Sequence, residues 1–90
     1  MKLTTAQLYI INLVLQIDEE WKAKQYGLSD LTIASDIFKE LKKCVKEEKF
    51  VDSEVKLSSE QKVFLIKAID ERKWAVGDAE NIFWLKDLLK

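Results

Sequence analysis

The sequence predicts an all-α fold, a small four-helix bundle built from two αα-hairpins. Three observations carry that expectation. Proline is absent and the only glycines are Gly27 and Gly77, so the turns of a sandwich and the loops of a phosphate cradle are missing. Helix-start signals recur at four places, and apolar residues repeat at helical spacing after each. With 90 residues, 48% of them apolar and 34% charged, the chain has the composition of one small folded domain.

Each element has its own warrant. Thr4-Thr5-Ala6-Gln7 and Ser58-Ser59-Glu60-Gln61 both fit a capping box, in which a hydroxyl accepts from a backbone N–H and the glutamine reaches back. Ser29 and Asp78 are simple N-cap candidates. Each follows a glycine, the usual left-handed stop after a helix. Helices are therefore expected over residues 5–25, 30–48, 59–75 and 79–89. The single domain divides into hairpin one (4–48), a connecting loop (49–57) and hairpin two (58–90). Phe50-Val51 has the composition of a short strand but no evident mate.

The halves read as a degenerate internal repeat. Leu3-Thr4-Thr5-Ala6-Gln7 parallels Leu57-Ser58-Ser59-Glu60-Gln61, and Ile17-Asp18-Glu19 parallels Ile69-Asp70-Glu71, with Trp21 and Trp74 following. Asp36-Ile37-Phe38 likewise parallels Asn81-Ile82-Phe83.

Helical wheels separate two kinds of helix. The second has one apolar arc, from Ile33 through Ala34, Ile37, Phe38, Leu41 and Cys44 to Val45, opposite a ridge of Lys39, Lys42, Lys43 and Lys46. The first is apolar nearly all round, interrupted only at Asn12, Gln16 and Glu19. The third and fourth share this character. Three such helices carry more apolar surface than a bundle of this size hides. The surplus marks an interaction site, because exposed apolar patches and large aromatics anchor protein contacts. The expected anchors are Trp84, Leu88 and Phe83, with Tyr9, Leu13 and Trp21 as a second group.

Other chemistries are poorly supplied. The chain has no histidine and a lone cysteine, Cys44, so Ser-His and Cys-His pairs, Cys/His zinc sites and a disulfide framework are excluded. No catalytic residue, metal ligand set or cofactor motif stands out, and the expectation is a non-enzymatic protein without cofactors. The carboxylates Asp18, Glu19, Glu20, Asp70 and Glu71 lie in contiguous runs that splay around a helix. The all-α nucleotide pyrophosphohydrolases instead repeat their acids one turn apart. Fifteen cations, all lysine but Arg72, face sixteen anions, so no basic surplus exists for a phosphate backbone. The lysine ridge leaves one alternative, a dimeric nucleic-acid-binding regulator. The Leu3-Thr4-Thr5-Ala6-Gln7 opening resembles the first helix of winged-helix regulators, but no glycine-containing wing follows.

The apolar run Leu8–Ile17 is too short to span a bilayer, and Asp18-Glu19-Glu20 follows where a signal-peptide cleavage site would sit. A cytoplasmic protein is expected. Its size, near-neutral charge and lysine usage are similar in style to small accessory proteins of low-GC bacteria and their phages, which commonly bind and block or regulate a host protein. The resulting expectation is a protein–protein interaction module whose partner is another protein or its own copy.

Overall fold

A computed structural model describes residues 1–90 and places nine elements along them. They are β1 (Lys2–Leu3), α1 (Thr5–Gln16), α2 (Leu28–Lys42), β2 (Val45–Lys46), β3 (Lys49–Phe50), β4 (Ser53–Glu54), α3 (Ser59–Asp70), a 3₁₀ turn (Val76–Asp78) and α4 (Ala79–Leu89). The four helices and the 3₁₀ turn together hold 59% of the chain. The expectation of a purely α bundle is corrected by two small antiparallel sheets, β1 with β4 and β2 with β3.

Both capping boxes form. Thr4 accepts from the Gln7 N–H while the Gln7 side chain accepts from the Thr4 N–H, and Ser58 and Gln61 repeat the exchange. These boxes start two helices of 12 residues whose buried faces match: Ile11, Val14 and Leu15 in α1, and Leu65, Ala68 and Ile69 in α3. Burial therefore pairs Leu15, rather than Ile17, with Ile69.

The other helix starts differ from expectation. Gly27 is not left-handed; at φ −65° it precedes α2 as its N-cap, and its carbonyl accepts from the Leu31 N–H at 2.8 Å. Ser29 lies inside α2. Asp78 occupies the N-cap of α4 but makes no side-chain cap, because the 3₁₀ turn before it runs directly into the helix.

Helix α1 stops at Gln16, well short of residue 25, and the reason lies in its carbonyls. A helix end leaves its last carbonyls without intrahelical donors. Here each finds one: Val14 O accepts from Lys24 Nζ at 3.3 Å and Leu15 O from the Tyr26 hydroxyl at 2.8 Å. Gln16 O accepts from the Lys24 N–H at 2.8 Å, and Ile17 O from Arg72 Nη1 at 2.7 Å. Two of these donors are cations, which suit the negative end of the helix dipole. The chain between folds back on itself, with Ile17 bridged to Ala23 and the Asp18 carboxylate accepting from the N–H groups of Glu20 and Lys22. At its tip Trp21 takes a positive φ of 62°.

Helix α2 likewise ends early, at Lys42. Cys44 is buried among the core residues, as its place in the apolar arc implied, but Val45 and Lys46 belong to β2 rather than the helix. The strand expected near Phe50 exists, and this is its mate: Val45 pairs with Phe50 and Lys46 with Lys49. Glu47 and Glu48 between them both have positive φ, which makes the link a type I′ hairpin turn.

The core is one cluster. Leu8, Ile11 and Leu15 of α1 meet Ile37 and Leu41 of α2, Leu65 and Ile69 of α3, and Leu85 and Leu89 of α4, with Leu3 and Val55 closing one end. Helix α1 touches all three other helices and β3, so it is the central rod. Its nearly all-round apolar surface follows from that position.

Candidate functional site

Helix α4 is covered on one side only. Ile82, Leu85 and Leu89 face the core at i, i+3 and i+7 spacing. At 100° per residue, Glu80, Phe83, Trp84, Asp87 and Leu88 fall on the opposite and flanking sides. Phe83 is 65% exposed, Trp84 57% and Leu88 39%. Trp84 and Leu88, one turn apart, form a wall of a shallow groove of about 330 Å³ completed by Lys2, Thr4, Gln7 and Asp87. The three anchors expected on this helix are thus all exposed, with Glu80 and Asp87 between Phe83 and the Trp84–Leu88 pair. Lys2 and Gln7 come from the far end of the chain, and no local pattern could have placed them there.

The second expected group is divided: Tyr9, 48% exposed, and Leu13 lie one turn apart on α1, and Trp21 lies outside it. Tyr9 sets its ring edge-on against Phe50 of β3, with centroids 4.9 Å apart, and Leu13 is half-buried on the same helix. Trp21 is not on α1 at all. It sits at the tip of the fold-back, largely exposed, and the Arg72 guanidinium lies 5.7 Å from its ring and 5.7 Å from that of Trp74. These aromatics have intramolecular partners, and Tyr9 and Trp21 lie at separate places.

The lysine ridge is divided and partly neutralised. Lys39 pairs with Asp36 at 3.8 Å and Lys43 with Glu40 at 3.0 Å, while Lys42 Nζ lies 4.8 Å from the Phe38 ring. Lys46 stands on β2 beyond the helix end. The carboxylate runs do not converge either. Asp18 accepts from its own loop, Glu19 accepts from the Lys73 N–H at 3.1 Å, and Asp70 is paired with Lys86 of α4. Nowhere do three Cys, Asp or Glu side chains gather closely enough to hold a metal ion.

A second concavity, about 430 Å³, runs between α3 and the segment leading into α2. Tyr26, Ile33, Val63 and Phe64 supply its apolar lining, and Lys24, Asp30, Glu60, Lys67 and Glu71 its charged rim. Burial, helped by the charge of Asp30, raises the pKa of the Tyr26 phenol, whose hydroxyl is already engaged by Leu15 O. The rim mixes both signs, and no nucleophile stands beside a base within it.

No family model, curated protein or solved structure matches the chain. No helix is long and apolar enough to cross a membrane. Among the surfaces, α4 carries three large apolar side chains that stay 39–65% exposed on one helix, two of them aromatic.

Proposed function

We propose that the protein is a non-enzymatic interaction module that works by docking the outward face of α4 on another protein surface. The carrying observation is the exposure of Phe83, Trp84 and Leu88 on a helix anchored by its opposite side. Aromatic side chains on a rigid element make good anchors, since little conformational freedom is lost when they are buried. The mechanism is occlusion or scaffolding, with Trp84 as the central contact. The pairing of Lys39 and Lys43 with neighbouring acids favours this reading over nucleic-acid binding.

The test compares wild-type protein with Trp84→Ala and with Lys39→Ala/Lys43→Ala as immobilised baits in one lysate. A protein retained by wild type and by the lysine variant, but lost with Trp84→Ala, supports the proposal; anchor loss is expected to weaken binding by about 2 kcal/mol or more. Retention that is indifferent to Trp84, with circular dichroism unchanged, overturns it.

A further inference from the structure

We infer that the occupant of the α4 face is a second copy of this chain, bound through a two-fold axis with the two α4 helices antiparallel. The inference rests on the reading of α4 as a docking surface and adds its partner and register.

A two-fold interface must be complementary to itself, and the α4 strip meets that condition in one register. Glu80, Phe83, Trp84, Asp87 and Leu88 recur at i, i+3, i+4, i+7 and i+8, the spacing of a helix–helix seam. In an antiparallel pair centred between Leu85 and Lys86, Phe83 of one chain lies level with Leu88 of the other, the two on opposite edges of the seam. Trp84 then faces Asp87. The Trp74 indole N–H donates to Ile69 O, whereas that of Trp84 donates to no group in its own chain. Across the axis it meets a carboxylate whose only ion pair is an exposed one with Lys90.

Charge supports the same register. Acidic Glu80 lies in the first turn of α4, and Lys90 lies at its end. Antiparallel packing brings Glu80 of one chain beside Lys90 of the other. Shifting the register by one turn would instead set Glu80 against Asp87, two carboxylates together, and a parallel pair would align like with like. The exposed parts of Phe83, Trp84 and Leu88 amount to roughly 350 Å² per chain, less than half of the ~800 Å² that a stable interface takes from each partner, so neighbouring residues must supply the rest. Glu80 and Asp87 lie within that face, with Lys90 at the helix end and Lys2 beside the groove.

Sedimentation velocity across about a hundredfold concentration range tests this, with circular dichroism on every variant. Wild type is expected to pass from monomer to dimer, and Trp84→Ala to raise the dimer dissociation constant about thirtyfold or more. Glu80→Lys alone and Lys90→Glu alone should each weaken the dimer, and the double exchange should restore it. A wild type that stays monomeric at every concentration overturns the second copy as occupant. The docking reading itself is then decided by the Trp84-dependent capture above. A dimer indifferent to Trp84→Ala removes α4 from the interface, and a dimer lost in both single charge variants but not restored in the double overturns the register.

Discussion

Helices α1 and α4 look alike in sequence, apolar on nearly every side, yet they have that character for different reasons. Helix α1 is packed on more sides, with Ala6, Tyr9 and Gln16 left exposed. Its inner face meets α2, α3 and α4, and β3 brings Phe50 over Tyr9 on its outer side. Helix α4 is packed on one side and leaves Phe83 and Trp84 more than half exposed. An apolar surface all round therefore reports either a central rod or an uncovered face. What separates the two here is a hairpin contributed by residues 45–50, remote in sequence from both helices.

Deleting side chains from each helix gives the widest separation. Ile11 is fully buried in α1, and Ile11→Ala should cost about 2–5 kcal/mol through lost burial and the cavity left behind. Trp84→Ala should cost less, about 1–2 kcal/mol of monomer stability, since 57% of that residue is already in water. Urea unfolding at a concentration low enough to keep the chains apart measures both. Equal losses would mean that α4 is held by its outer face and would end the distinction.

The outer end of α1 is the next point at which to break the comparison. Arg72 donates to Ile17 O and lies between the rings of Trp21 and Trp74, so it ties the fold-back after α1 to the end of α3. Arg72→Ala should destabilise the protein by about 1.5–3 kcal/mol, the range for a hydrogen bond from a charged donor. Arg72→Lys should recover only part of it, because an ammonium lacks the planar fork that bonds and stacks together. Urea midpoints, with limited proteolysis scored at residues 17–26, report the effect. Unchanged midpoints in both variants would show that the fold-back holds without this arginine.

How far the sequence disclosed the molecule follows the same division between local and distant causes. The starts of α1 and α3 were legible because Thr4 with Gln7, and Ser58 with Gln61, complete their hydrogen bonds within one turn. The exposed strip of α4 was legible from the spacing of Phe83, Trp84 and Leu88. The end of α1 was not, because its carbonyls are satisfied by Lys24, Tyr26 and Arg72. One signal did point to it: Asp18, Glu19 and Glu20 sit unfavourably at the negative end of a helix dipole. The β2–β3 hairpin was hidden for another reason. Its turn puts Glu47 and Glu48 at φ 53° and 66°, where Asn-Gly is the usual signal. The pairing of β1 with β4 matches Lys2 to Glu54 across most of the chain, and no periodicity encodes that.

The smallest effect concerns what fastens the hairpin region over α1. Asp52 accepts from the Thr5 N–H at 2.8 Å and from the Thr5 hydroxyl at 3.0 Å, at the first turn of that helix. The backbone hydrogen bond from Thr5, then its hydroxyl, and more weakly the charge of Lys2, hold the Asp52 carboxyl below the usual carboxylate range. A carboxyl whose folded pKa is depressed contributes stability above its unfolded pKa, about 3.9, and that contribution is lost as pH falls through the folded value. Asp52→Asn keeps an acceptor for Thr5 but does not titrate. Thermal midpoints of wild type and variant should therefore differ at pH 7 and converge as the pH drops below 3.9 toward the folded pKa. A difference that stays constant over that window would mean the charge of Asp52 takes no part in fastening the covered side of α1. The cover would then rest on the Tyr9–Phe50 contact, the hydrogen bond from the Thr5 hydroxyl to Phe50 O and the β2–β3 hairpin.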